Sequence, residues 1–361
     1  VSSAASDVYK RQTLSDEIRE YFKILSPEFP EWLLEYIDTP EMQRISGISM
    51  NCGTDYTKIF NIKQWYSNLD HSVGVALIIW HFTGDKKQTL SGLFHDIATP
   101  TFKHCIDFMN GDAEKQESTE ERTEIIIKNS EKIMKLLKRD NIKLEEVSDY
   151  HIYPIADNDT PNLSADRFEY TFSSGLIFCR VWTLDNIREC YNNVKVLKNE
   201  NDILELGFSD KTICEKYIHI ISKLWPAWLN AEDRTTMQFL ADIVKSMHVI
   251  GKISMDDLYT YSEKEIIDKI LNCGDTYIEN AFKKFQHSTS VLRFDKPVTD
   301  KYCISVKGKR RYIIPLTETE NGIFRINEIS SQAKNDINNY LNFKQTQYTG
   351  LDFEFKPYEF K

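Results

Sequence analysis

The chain carries eight histidines in 361 residues, and one of them stands directly before an aspartate, His95-Asp96. Such a pair alone means little, since about half an occurrence arises by chance at this histidine count. Its surroundings give it meaning. The pair ends an apolar stretch, LSGLFHDIATP, in which Gly92 permits close backbone approach. His71 stands 24 residues upstream, near the start of a second apolar segment, LDHSVGVALIIWHF. Downstream, LSADRFEY places Asp166 in the first turn of a further predicted helix, which Ser164 can cap. Two imidazoles and two carboxylates from three helices can therefore converge on one divalent cation. That donor set suits borderline or hard first-row metals better than soft ones. Two carboxylates neutralise a doubly charged ion, and four protein ligands on an octahedral ion leave room for water and a substrate oxygen. A water on such an ion has a much lowered pKa and is a nucleophile near neutral pH.

The elements that must hold these groups read mostly as helix. Residues 15–25 show Ser15 as an N-cap with Ile18, Tyr21, Phe22 and Leu25 at helical spacing, and 29–37 reads as a short second helix. Asp38-Thr39-Pro40 is a start signal, with proline at the first helical position. Residues 48–62 read as loop. Helices follow at about 70–82 and 87–95, broken at Gly84-Asp85, and a long charged helix is predicted over 114–138. Residues 151–163 are irregular. Further helices are expected at 182–191, 211–230, 234–250, 262–285 and 329–343. Tyr302–Val306 and Arg311–Pro315, separated by Lys307-Gly308-Lys309-Arg310, read as a β-hairpin. The basic run 307–311 is assigned to that turn, where charge protects a sheet edge, rather than to nucleic acid. Trp225, Trp228 and Leu229 read as core, and His81, His219 and His248 as surface or packing residues.

With these motifs in view, the chain resembles the HD-domain metal-dependent phosphohydrolases, whose signature is H…HD…D. His71, His95, Asp96 and Asp166 fall on the four metal-ligand positions. More narrowly it resembles the deoxynucleoside triphosphate triphosphohydrolase branch over roughly residues 14–285. There I-D-T-P-x-x-Q-R precedes the first histidine, as Ile37–Arg44 does here. E-H-S-x-G-V is matched by Asp70–Val75, and D-[KR]-x-[DE]-Y by Asp166-Arg167-Phe168-Glu169-Tyr170. Met255-Asp256-Asp257-Leu258, leading into a helix from Glu263, is similar to a later helix pair. In the branch motif H-D-x-G-H-x-x-F-S-H, this chain has Thr99 for the middle histidine and keeps the last as His104, with Asp107 matching a further family aspartate. An H-E pair appears as Ala113-Glu114. Asn68 stands where the family has an arginine three residues before the first histidine, and Ser46 replaces the arginine after the shared Gln-Arg.

The resemblance implies a mainly α fold: an HD-type helical domain over 13–290, with its metal core at about 37–190. A small α+β region over 291–361 contains the hairpin. It implies one divalent ion (Mn, Fe, Mg, Ni or Zn). It also implies hydrolysis of a dNTP to deoxynucleoside and triphosphate, by attack of a metal-bound hydroxide at the α-phosphorus. His104, Asp107 and Glu114 are the candidate catalytic groups, and Lys103, Arg167 and Tyr170 the candidate substrate contacts. His104 and Asp107 share a face if their segment is helical, so the pair serves either proton transfer or a helix surface. The alternatives are a nucleotide monophosphatase or phosphodiesterase, or a regulatory HD protein that binds metal or nucleotide without turnover. The expected partner is a nucleotide or another small phosphate ester, with a homo-oligomer an option.

Composition narrows the classes. With 41% hydrophobic and 28% charged residues the chain is globular, and a net charge of −10 argues against a dedicated nucleic-acid or anionic-membrane binder. The longest apolar stretch, Val73–Trp80, is far short of the roughly 18–20 residues that span a bilayer. Seven scattered cysteines without a C-x-x-C, and no secretory leader pattern, fit a reduced cytoplasm. Val1–Gln12, VSSAASDVYKRQ, resembles translated sequencing-adapter sequence and is read as a non-native tail.

Overall fold

The computed structural model describes residues 14–116 and 122–359; the tail at 1–12 lies outside them. The fold is mainly α with two small sheets. Its longer helices are α1 (Asp16–Leu25), α2 (Asn68–Thr83), α3 (Lys86–Phe94), α4 (Glu131–Arg139), α5 (Ala165–Ser173), α6 (Leu184–Tyr191), α7 (Lys211–Leu224), α8 (Ala231–Val249), α9 (Glu263–Leu271), α10 (Thr276–His287) and α11 (Ser331–Leu341). Strands β1 (Val194–Lys198), β2 (Leu204–Phe208), β3 (Leu292–Phe294), β4 (Tyr302–Ile304), β5 (Leu316–Thr319), β6 (Gly322–Arg325) and β7 (Tyr348–Leu351) form sheets of order β1-β2-β5-β6 and β3-β7-β4. No helix among the described residues is long and apolar enough to cross a membrane.

The helices that matter for the site begin where side chains satisfy their first N–H groups. Ser67 and Asp70 form a reciprocal cap on α2: Ser67 N–H donates to Asp70 Oδ2 at 2.7 Å and Asp70 N–H to Ser67 Oγ at 3.1 Å. This starts α2 two residues before the expected position. At its far end Gly84 takes the left-handed conformation (φ 58°). Asp85 then caps α3 by accepting from Lys87 N at 2.8 Å and Gln88 N at 3.2 Å. α2 is buried on nearly every side, from Asn68 to Ile79. Gly92 lets α3 lie directly on it, because a Cβ there would stand 2.2 Å from Ile79 Cδ1 and 3.3 Å from Val75 Cγ1.

Several expectations are corrected. The long helix 114–138 is not continuous: Thr123–Asn129 and α4 are separate, because Ser130 is extended (ψ 104°) and turns its hydroxyl to cap Ile133 N. Part of that span, 117–121, lies outside the described residues. Residues 262–285 form two helices, parted at 272–275, where Gly274 has φ 82° and Asp275 caps α10. α7 stops at Leu224, and Trp225–Leu229 continues as 3₁₀ turns around Pro226. Trp225 and Leu229 are fully buried there, as expected. β1 and β2 have no counterpart in the sequence reading; they pair antiparallel, with Val194 opposite Phe208.

The hairpin is also misplaced. Tyr302–Ile304 pairs with β7, residues 305–315 have no regular structure, and the tight antiparallel pair is β5–β6, with Thr319 opposite Gly322. The basic run therefore lies in an extended strap rather than at a turn. β5 joins the first sheet through a parallel pairing of Gly207 with Leu316. The apolar core has two clusters, and both cross residue 290. Ile313, Ile326, Ile337 and Tyr340 belong to the cluster containing α1–α3, and Tyr302, Leu351 and Phe355 to the one containing α8–α10.

Gly92→Val is expected to push α3 off α2 and cost about 1–3 kcal/mol, as overpacking does. Calorimetric unfolding beside Gly84→Ala checks it: Gly84 has open space around it, so that variant reports backbone strain alone.

Candidate metal centre

His71 lies in the first turn of α2, His95 directly follows α3, and Asp166 is in the first turn of α5, where Ser164 Oγ accepts Arg167 N at 3.2 Å. These three helix ends meet. His71 Nε2 is 3.2 Å from His95 Nε2, 3.1 Å from Asp166 Oδ1 and 4.0 Å from Asp96 Oδ2. His95 Nε2 stands 3.7 Å from both Asp96 Oδ2 and Asp166 Oδ1. Ligand atoms at about 2.0–2.2 Å from one ion are separated by about 3–4.4 Å from each other, so this spacing fits a shared cation.

The proton positions strengthen the fit. His95 Nδ1 is 2.7 Å from Gly92 O. A carbonyl only accepts, so Nδ1 carries the hydrogen and Nε2 presents a lone pair. His71 Nδ1 contacts Glu169 Oε2. Glu169, fully buried, also accepts from Tyr21 Oη at 3.0 Å, Tyr66 Oη at 2.6 Å and Ser173 Oγ at 3.1 Å. With three hydroxyls already directed at Glu169, a hydrogen on His71 Nδ1 fits this contact and leaves Nε2 facing the cluster. The His71 and His95 Nε2 lone pairs and Asp96 Oδ2 cluster closely enough to hold one cation. Asp166 Oδ1 lies beside both imidazoles, and Lys103 Nζ is the donor that meets Asp96 Oδ2 here. Burial opposes a charged His71, but Glu169 and Asp166 outweigh it and push its pKa up to about 9. Burial likewise opposes an ionised Asp166, yet His71 and His95 bring it down to about 2. Asp96 is held well below the carboxylate range against burial, mainly by Lys103 and the two histidines.

The remaining candidates divide. Lys103 is buried, with Nζ 3.0 Å from Asp96 Oδ2 and in contact with Asn68 Oδ1. It therefore belongs to the site. His104 Nδ1 donates to Asp107 Oδ2 at 2.9 Å, and Asp107 is fully buried. Burial, helped by Arg311 and Lys103, outweighs Asp107 and holds His104 below the usual imidazole value. Tyr170 lies one turn after Asp166, its ring edge-on to Trp228. Arg167 is tied into the loop before α5, donating to Asn158 Oδ1 at 2.6 Å, with Asp157 Oδ1 at 3.3 Å. It carries structure there, which an exposed pocket arginine would not. Glu114 is exposed and is not brought to the metal ligands.

Four contributors had no role assigned from sequence. Glu169 orients His71. Arg44 Nη2 donates to Thr99 O at 2.6 Å and Ile97 O at 3.2 Å, fixing the loop after Asp96. Tyr150 lies against His95, ring centroids 5.2 Å apart. Arg311 reaches His104 from the strap, with Nη2 3.2 Å from Nε2. Glu169 and Arg44 had a sequence signal, their places in the Asp166–Tyr170 and Ile37–Arg44 motifs; Tyr150 and Arg311 had none.

No family model matches the chain. It is 21% identical over 228 residues to a metal-dependent phosphohydrolase, cns2, of Cordyceps militaris, covering 61% of this chain and 64% of the relative. It is 29% identical over 140 residues to the uncharacterized protein YdhJ of Bacillus subtilis, covering 38% of this chain and 42% of that one. The chain thus spans less than two thirds of either relative. Among solved structures, a hypothetical protein from Aquifex aeolicus superposes with a TM-score of 0.62 at 16% identity, over 90% of this chain and 93% of that one. A phosphohydrolase from Bacteroides thetaiotaomicron superposes with a TM-score of 0.62 at 13% identity, over 89% and 96%. These likenesses establish a shared fold.

Purified protein is expected to hold about one divalent ion per chain, and Asp96→Ala to lose it. Elemental analysis showing equal metal in both would remove the assignment. Glu169→Gln should weaken metal binding about 10–100-fold, the usual cost of losing a partner that orients a ligand, measured by competition with a fluorescent chelator.

Proposed function

We propose that this protein is a metal-dependent phosphohydrolase acting on a small phosphate ester, with nucleotides as the substrate class and dNTP hydrolysis to deoxynucleoside and triphosphate as the specific reaction. The carrying observation is the cluster of His71 Nε2, His95 Nε2 and Asp96 Oδ2, with Asp166 Oδ1 beside both imidazoles. The names of the Cordyceps relative and the Bacteroides structure support the class. A divalent ion held there supplies a water-derived nucleophile at neutral pH and stabilises charge on phosphoryl oxygens.

The chain's own groups divide the remaining work. Glu169 and the Gly92 carbonyl keep both imidazoles in the ligating tautomer. Lys103 adds a fixed positive charge beside Asp96, where a phosphate would enter. Asp107 holds His104 with its hydrogen on Nδ1, which leaves Nε2 as a base able to take a proton and return it to the leaving group. Thr99 and Ala113, at positions where the resembling family has histidines, offer no comparable group. Arg167 holds the loop before α5 through Asn158 and Asp157.

A panel of nucleotides assayed for phosphate, pyrophosphate and triphosphate release with added Mn²⁺ tests the reading. Triphosphate release supports the dNTP reaction, and phosphate release alone supports a monophosphatase. On the best substrate, His104→Ala should lower kcat by about 10²–10⁴-fold with metal content unchanged, the typical contribution of a positioned acid or base. A base must be unprotonated. With the His104 pKa below its ordinary value of 6.5, kcat/KM should rise with pH through a point below 6.5, level off above it, and lose that limb in His104→Ala. An unchanged limb and kcat in the variant would exclude His104 from proton transfer.

A further inference from the structure

The strap between β4 and β5 crosses the molecule without secondary structure, yet it is pinned along its length. Arg234, itself buried, donates to Val306 O, and Gly308 N–H donates to Gln345 Oε1 at 2.9 Å. Arg310 donates to Tyr340 O at 3.0 Å, and Arg311 N–H to Tyr340 Oη at 3.2 Å. Ile313 is fully buried, and Ile314 N–H donates to Pro161 O at 2.8 Å, on the loop leading into α5. The backbone at Arg311 is thus fixed on both sides, and its guanidinium is delivered inward.

Its partners there are unusual for an arginine. Nη2 faces His104 Nε2 at 3.2 Å and contacts Gln116 Oε1. Arg167, Arg325 and Arg234 are occupied by carboxylates or backbone carbonyls. Among the described residues no carboxylate lies within ion-pair distance of Arg311. It reaches the site through His104, whose chain neighbour Lys103 holds its Nζ 3.0 Å from Asp96 Oδ2. A guanidinium has five donors in a planar fork. Here it spends them on a neutral imidazole and an amide, partners that a phosphate displaces readily, because charge-assisted bidentate contacts are about twice as strong as neutral ones.

We propose that Arg311 is a substrate-phosphate ligand supplied by the C-terminal strap, and that engaging phosphate draws it off His104 and frees Nε2 for proton transfer. This rests on the phosphohydrolase reading. It adds a link between occupancy of the phosphate subsite and availability of the base. Before phosphate binds, the guanidinium blocks the His104 lone pair; afterwards the phosphate oxygens take its N–H groups and Nε2 faces the ligand.

The test uses inorganic phosphate and the intact chain, with ¹⁵N-histidine spectra and steady-state kinetics. In the wild type, phosphate should shift the His104 Nε2 resonance. In Arg311→Ala and Arg311→Gln the free protein should already show the shifted signal, and KM should rise about 10–100-fold, the range for losing a hydrogen bond to a charged group. Arg311→Lys should recover part of the KM, keeping charge but not the fork. If Arg311→Gln matches the wild type in KM and in His104 response while the wild type turns over phosphate esters, the proposal fails and the phosphohydrolase reading stands. If the metal-loaded wild type neither hydrolyses any ester nor responds to phosphate, both fail together.

Discussion

One buried charge organises this molecule. Glu169 is fully enclosed, and an enclosed carboxylate is tolerable only when its lone pairs are all used. Its donors come from separate parts of the chain: Tyr21 on α1, Tyr66 just before α2, His71 on α2, and Ser173 on its own helix α5. Satisfying Glu169 therefore draws α1, α2 and α5 into one arrangement. Gly74 makes the approach possible, since a Cβ there would lie 2.7 Å from Glu169 Cγ. The same bond that anchors the fold sets the tautomer of His71. Fold stability and metal-ligand geometry thus share a single interaction.

The second half of the site depends on the part of the chain most distant in sequence. His104 is held on one side by Asp107, in the short helix Cys105–Met109 that follows it, and on the other by Arg311. The strap that carries Arg311 has its own anchors on α11 and on the loop before α5. Ile313, Ile326 and Ile337 share a core with α1–α3. The helical core and the C-terminal α+β region are therefore joined by apolar packing as well as by polar contacts at the site.

The clustered residues were legible because each lies at a helix end that the local sequence marks: His71 and Asp166 in first turns, the latter capped by Ser164, and His95-Asp96 after the apolar run that ends α3. Most helices were legible for the same reason, and their errors fall where caps were overlooked, at Ser130 and Asp275. β1 and β2 were not, because Val194–Lys198 and Leu204–Phe208 are short and flanked by helices, and β2 pairs on its other side with β5, more than a hundred residues later. The basic run 307–311 read as a turn because Lys-Gly-Lys-Arg looks locally like one. Its path is instead fixed by Tyr340 and Gln345, which no local pattern reveals. Arg167 read as a substrate contact, and nothing in the motif announces its bond to Asn158.

Position-by-position comparison also understates the positive charge available at the site. Asn68 stands where the resembling family has arginine, which reads as a lost phosphate clamp. In space, Lys103 reaches Asn68 Oδ1 and Asp96 Oδ2. An ammonium from the loop after Asp96 therefore occupies that neighbourhood, and the asparagine serves as its acceptor. The shared Arg44 gives its Nη2 to the carbonyls of Ile97 and Thr99 and so shapes the loop, while its buried Nη1 has no partner among the described residues. Arg311 brings a second cation from the strap, to His104 at the end of the motif region. What an anionic ligand requires is positive charge at a given point in space, and a chain can meet that from any element that passes nearby. The substitutions at Asn68 and Ser46 are therefore weak evidence against phosphate chemistry. The replacement of histidines by Thr99 and Ala113 weighs more, because an oriented, titratable ring is harder to supply from elsewhere, and His104 is the ring that the fold has positioned.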